Sequence, residues 1–130
     1  MKVRRALVIA VALGVALLPA PASASTGWVI QPTPNPAGSS GAQLAGVSCP
    51  RVTACTAVGS SSENSTNIPT VTLAERWNGT SWSLQTTPDP AGAKISVLDG
   101  VTCTTAGTCV AVGHFWNGTS TQTLVERRAG

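Results

Sequence analysis

The sequence predicts an all-β fold made of two tandem, four-stranded antiparallel units, and three observations carry that expectation. Residues 28–59 align without a gap on residues 82–113, with 15 identities in 32 positions, and self-similarity at a fixed period near 50 marks stacked or radial units. Each unit divides into short segments rich in small and β-branched residues and bounded by turn residues. No sustained helical period runs through either copy.

Ahead of the repeat, residues 1–24 have the build of a secretory signal peptide. Lys2, Arg4 and Arg5 precede an apolar run from Ala6 to Leu18, and Ala22-Ser23-Ala24 supplies the small-residue cleavage site. Thirteen helical residues reach only about 20 Å, short of the roughly 30 Å hydrocarbon layer, so cleavage is favoured over a retained anchor. Arg4-Arg5 alone gives little support for twin-arginine export, and general secretion is the expectation. The mature chain is then residues 25–130, one small extracellular domain with no membrane anchor. Its five basic residues balance its five acidic ones, which removes the electrostatic footprint of a nucleic-acid binder.

Within the repeat, repeat 1 spans about 28–79 and repeat 2 about 82–130. The first segment is Leu44 to Cys49, echoed by Leu98 to Cys103, and the second is Cys55 to Gly59, echoed by Cys109 to Gly113. The third, Thr70 to Trp77 and Thr121 to Arg128, alternates in the period of two that a half-buried strand requires. The fourth is Trp82 to Gln85, echoed by Trp28 to Gln31, and the prolines that follow each end its pairing. Asn78-Gly79 between the third and fourth segments is a hairpin signal for a type I′ turn, and a loop from Asn78 to Ser81 sets Trp77 opposite Trp82. Two identical C-x5-C spacings in an exported chain point to disulfides, and hairpin geometry pairs Cys49 with Cys55 and Cys103 with Cys109.

Four antiparallel strands in about 50 residues is the pattern of a propeller blade. Two units make only a partial propeller, and the strand around Trp28 precedes its unit while a matching fourth strand after Arg128 is missing. The Trp28 strand can close the second unit of its own chain or complete a unit in a neighbouring one. Uncovered apolar faces then imply either a homo-oligomer that completes a ring or a fragment of a longer repeat protein.

Gly46 to Pro50, Ala54 to Gly59, Leu73 to Ser83 and Pro88 together read G-V-S-C-P, A-C-T-A-V-G, L-A-E-R-W-N-G-T-S-W-S and P. This string resembles secreted bacterial repeat proteins whose units look like propeller blades of the WD40 or BNR-like kind. The resemblance covers nearly all of the mature chain and implies a fold without implying an activity. Repeat 2 departs from it, with Arg128-Ala129-Gly130 where Trp77-Asn78-Gly79 stands and an out-of-phase Trp116-Asn117-Gly118-Thr119-Ser120. By analogy of architecture, the chain is also similar to small bacterial lectins whose two-bladed chains assemble into rings and bind sugars between blades.

No constellation for catalysis presents itself. The lone histidine, His114, reads as a loop or strand-end residue, and Asp89 and Asp99 read as turn residues in place of a glycosidase pair. Five intervening residues suit disulfides better than zinc, so no metal and no cofactor is expected. Glu75 and Glu126 fall in register with apolar neighbours, each followed by an arginine, and the expected role is a bonded pair bracing adjacent units. Trp77, Trp82, Trp116 and Asn117 are the candidate ligand-binding residues, because an aromatic platform beside amides and hydroxyls suits a sugar. Asn64, Asn78 and Asn117 fit the glycosylation sequon, which bears on the protein only in a host that glycosylates its exports. The function expected is a secreted, non-catalytic binding module for a glycan or other extracellular surface component; the alternative is a structural or truncated piece of a larger propeller with no ligand of its own.

Overall fold

A computed structural model of the chain describes residues 27–63 and 70–130; the expected signal peptide and the Asn64 sequon lie outside them. Among the described residues the chain is all-β: β1 (Ser39–Arg51), β2 (Ala54–Glu63), β3 (Thr70–Trp77), β4 (Trp82–Gln85), β5 (Ile95–Cys103), β6 (Cys109–Trp116) and β7 (Thr121–Arg128). The third and fourth segments read from the sequence coincide with β3, β7 and β4, whereas β1 and β2 run well beyond theirs. β1 to β4 form an antiparallel meander, β5 to β7 form a second, and one parallel bridge between Thr70 and Ile95 joins them into a single open sheet. No helix among the described residues is long and apolar enough to cross a membrane.

The expected fourth-type strand at Trp28–Gln31 is not one in the structure. Those residues carry no strand pairing, and Trp28 and Ile30 are fully exposed. Extended backbone becomes a strand only when its own N–H and C=O groups pair with a neighbour, and the contact this segment makes with β4 runs through the Gln31 side chain, which accepts from Trp82 Nε1.

Both disulfides form as the hairpins require. Cys49–Cys55 and Cys103–Cys109 each span Cα atoms 4.0 Å apart across tight β1–β2 and β5–β6 turns. No free cysteine is present among the described residues, and crosslinks of this kind belong to an oxidising compartment.

The sequence W-N-G-T-S is used twice, in two different places. At Asn78–Ser81 it links β3 to β4; at Asn117–Ser120 it links β6 to β7. In each, the asparagine Oδ1 accepts hydrogen bonds from the two backbone N–H groups that follow the glycine, at 2.8 and 2.9 Å in the first and 2.9 Å twice in the second. Gly79 and Gly118 take positive φ and the asparagines do not, so the turn is a four-residue loop stabilised by an Asx contact, not the type I′ turn the dipeptide predicts.

Alternation along paired strands gives each unit two faces. In the first unit, Thr56, Val58, Thr72 and Ala74 share one face, while Cys55, Ala57, Leu73 and Glu75 share the other. In the second, Val110, Val112, Thr123 and Val125 correspond to the first set, and Cys109, Ala111, Leu124 and Glu126 to the second. The core joins opposite faces: Val58 and Ala74 pack with Leu98, Ala111 and Leu124, flanked by Val101 and Phe115. The Cys109 sulfur lies 3.6 Å from the Thr56 hydroxyl across the same junction. The two units therefore stack in the same sense, front of one against back of the next, and do not meet as mirror partners.

Candidate functional site

The stacking leaves a cleft of about 380 Å³ between the units. Its floor is the apolar junction of Val58, Ala74, Leu98 and Ala111. Its polar wall comes from the last residues of β7, namely Glu126, Arg127 and Arg128, and from Gln85, Thr86 and Thr87 leaving β4. Position along the chain explains this composition. β4 stops at Gln85, ahead of prolines that cannot donate to a ladder, and Thr86 and Thr87 leave the strand to line the cleft.

One side-chain contact joins the units across the cleft, and two more lie within the first unit beside it. Arg128 Nη1 donates to Gln85 Oε1 at 3.2 Å, bridging the units. Asp89 Oδ1 accepts the Thr72 backbone N–H at 3.2 Å, and the Thr72 hydroxyl donates to Thr87 Oγ1 at 2.9 Å. The Asp89 contact matters because β3 is paired with β4 only from Ala74 to Trp77, and the aspartate satisfies a donor beyond that ladder.

Glu126 is the odd member of the wall. It faces the junction, its Oε1 is buried without a hydrogen-bond partner, and burial raises its carboxyl above the ordinary 4.5. The negative charge of Asp89 raises it further, and the Thr72 hydroxyl opposes the shift. Its counterpart Glu75 is 1% exposed, with Oε2 likewise unpartnered, and burial raises that carboxyl too. The expected bonded pairs with arginine are not formed among the described residues, where the one ion-pair contact is His114 Nδ1 to Asp99 Oδ2 at 3.0 Å. The reason is geometric: Arg76 and Arg127 directly follow the glutamates, and successive strand residues point to opposite faces.

The residues singled out from the sequence fall in separate places. Trp77 and Trp82 lie directly opposite one another, ring centroids 5.6 Å apart, and Trp82 Nε1 donates to Gln31 Oε1 at 3.1 Å. Trp116 ends β6 beside Asn117, whose side-chain oxygen is committed to its turn. None of the four lines the cleft. His114 is within β6, and Asp99 sits in β5 at a register shift, not in the turn expected for it. Among the described residues no group of three or more His, Cys, Asp or Glu side chains is placed to hold a metal ion.

Reading residues one by one overlooked Gln85, Thr87 and Arg128. The signal for the first two was present, since Gln31 and Thr33 repeat them at identical spacing. Arg128 carried no such signal, because its counterpart is Trp77. No family model, curated protein or solved structure matches the chain.

Proposed function

We propose that the protein is a secreted, non-catalytic binding module of two propeller-like blades that holds a glycan, or a similar hydroxyl-rich surface component, in the cleft between them. The observation that carries this reading is the cleft itself: an apolar floor beneath guanidinium, amide, hydroxyl and carboxyl groups contributed by both units. Such a mixture suits a sugar, whose ring presents C–H surface and whose hydroxyls need both donors and acceptors. The unpartnered Glu126 oxygen supports it, because a ligand hydroxyl would satisfy a buried acceptor that is otherwise costly to leave bare.

The test is a glycan array probed with the secreted chain and with Arg128→Ala and Glu126→Gln. Binding to a defined glycan class that each substitution weakens at least tenfold, with the far-ultraviolet spectrum unchanged, is the expected result. Binding indifferent to both substitutions rules the cleft out.

The second reading, a structural element without a ligand, draws on the apolar residues exposed at the two outer faces: Leu44 and Val47 on the first unit, Val112 and Val125 on the second. A silent array together with self-association would favour it.

A further inference from the structure

We infer that a second copy of this chain donates its Trp28–Gln31 segment to the edge of β7 that is unpaired among the described residues, adding a fourth strand to the second unit. β4 reads Trp82-Ser83-Leu84-Gln85 and pairs with β3 through Trp77 with Trp82, Arg76 with Ser83, Glu75 with Leu84 and Ala74 with Gln85. The donated segment reads Trp28-Val29-Ile30-Gln31, with the same tryptophan, apolar third residue and glutamine. β7 is the counterpart of β3, yet among the described residues it pairs only with β6. An open edge offers unpaired N–H and C=O groups, and an extended segment of matching sequence is what it accepts.

Transferring the β3–β4 register fixes the pairing: Arg128 with Trp28, Arg127 with Val29, Glu126 with Ile30 and Val125 with Gln31. The segment has no strand pairing within its own chain, Trp28 and Ile30 are fully exposed and Val29 is 64% exposed, and donation requires Gln31 to give up its 3.1 Å hydrogen bond from Trp82.

The unit faces say why the donor is a copy of this chain. Leu98 is 1% exposed under the first unit, whereas its counterpart Leu44 is 42% exposed, and Val47 is 61% exposed where Val101 is half-buried. At the other end, Val58 and Ala74 are buried under the second unit, while their counterparts Val112 and Val125 are 49% and 64% exposed. At its two ends the chain thus leaves exposed some of the apolar residues whose counterparts meet at its centre, Leu44 and Val47 at one end and Val112 and Val125 at the other, while Ala57, Leu73 and Glu75 on the first unit's outer face are already buried. Strand donation brings the exposed residues together between copies, and because the contact is heterologous it propagates until the rotation closes a ring.

Two variants, each with one cysteine added to the two native disulfides, Val29→Cys and Arg127→Cys, are prepared as separate chains, mixed, oxidised and run without reductant. The expected result is a covalent dimer in the mixture and none in either variant alone; mixing that yields no dimer overturns the proposal. The double variant supplies a second readout: a ladder of linked chains supports exchange between copies, whereas a monomer whose new bond lies within one chain means the segment closes its own second unit. Ile30→Asp, at a residue fully exposed in the single chain, is expected to reduce the light-scattering mass to that of a monomer while leaving the far-ultraviolet spectrum of the folded chain unchanged. An unchanged oligomer mass in that variant also overturns the proposal.

Discussion

Gly46 and Gly100, which hold the same place in the two repeats, meet each other: a Cβ on Gly46 would lie 3.0 Å from Gly100 Cα and 3.3 Å from the Asp99 carbonyl oxygen. β1 and β5 approach this closely because Gly46 carries no side chain there. Gly46→Ala should therefore push the two units apart and cost about 1 to 3 kcal/mol, read from urea denaturation. Gly100→Ala, whose added Cβ meets only a Val112 methyl at 3.9 Å, should cost clearly less.

Gly59 and Gly113 answer to a different constraint. Each faces the inner strand at a register shift, and an added Cβ would overlap the carbonyl oxygen of Gln43 or Val97 and come within 2.9 or 2.8 Å of the next Cα. Backbone must move in either case. Alanine at each site is expected to destabilise by about 3 kcal/mol, more than Gly46→Ala, on the same denaturation scale.

The sequence made much of this legible and left a definite part of it hidden. β3, β4 and β7 announce themselves through period two and flanking turn residues, and both disulfides follow from two equal spacings on hairpins. The repeated glycines were visible as identities, but their reason was not, because contact between Gly46 and Gly100 is set by how two sheets stack. The cleft was hidden for the same cause: Gln85, Arg128 and Glu126 come together only after the front of one unit meets the back of the next. The role of W-N-G-T-S in two different hairpins was likewise beyond sequence reading, since one motif serves any four-residue turn.

The disulfides each close a sequence separation of 6 residues. On the chain-entropy estimate, breaking one should lower stability by about 2 to 3 kcal/mol. Cys103→Ser with Cys109→Ser is expected to cost more than Cys49→Ser with Cys55→Ser. Cys109 is 4% exposed and sits over Thr56 at the junction, so its loss disturbs packing between units as well as one hairpin. Thermal melts of the two double variants, with the parent chain in reductant as a reference, measure the difference.

Glu75 makes stability depend on pH in a definite sense. Burial raises its folded carboxyl above the ordinary 4.5, so the folded state holds the proton in a range where the unfolded chain has lost it. The unfolded state then binds fewer protons, and stability falls as pH rises from about 4.5 through the folded value. Glu75→Gln should remove that fall, flattening the profile and leaving the variant more stable than the parent at pH 7. A variant that loses stability at pH 7 would mean that the ionised carboxylate has a favourable partner.

The central claim, that a ligand is held where the two units meet, is tested most directly by methyl NMR of the chain titrated with a glycan selected on the array. The expected result is perturbation confined to Val58, Leu98 and Val101 methyls at the cleft floor, with the Arg128 side-chain signal moving alongside them. Perturbation centred on Trp116 and Asn117, with the Val58 and Leu98 methyls unmoved, would contradict it.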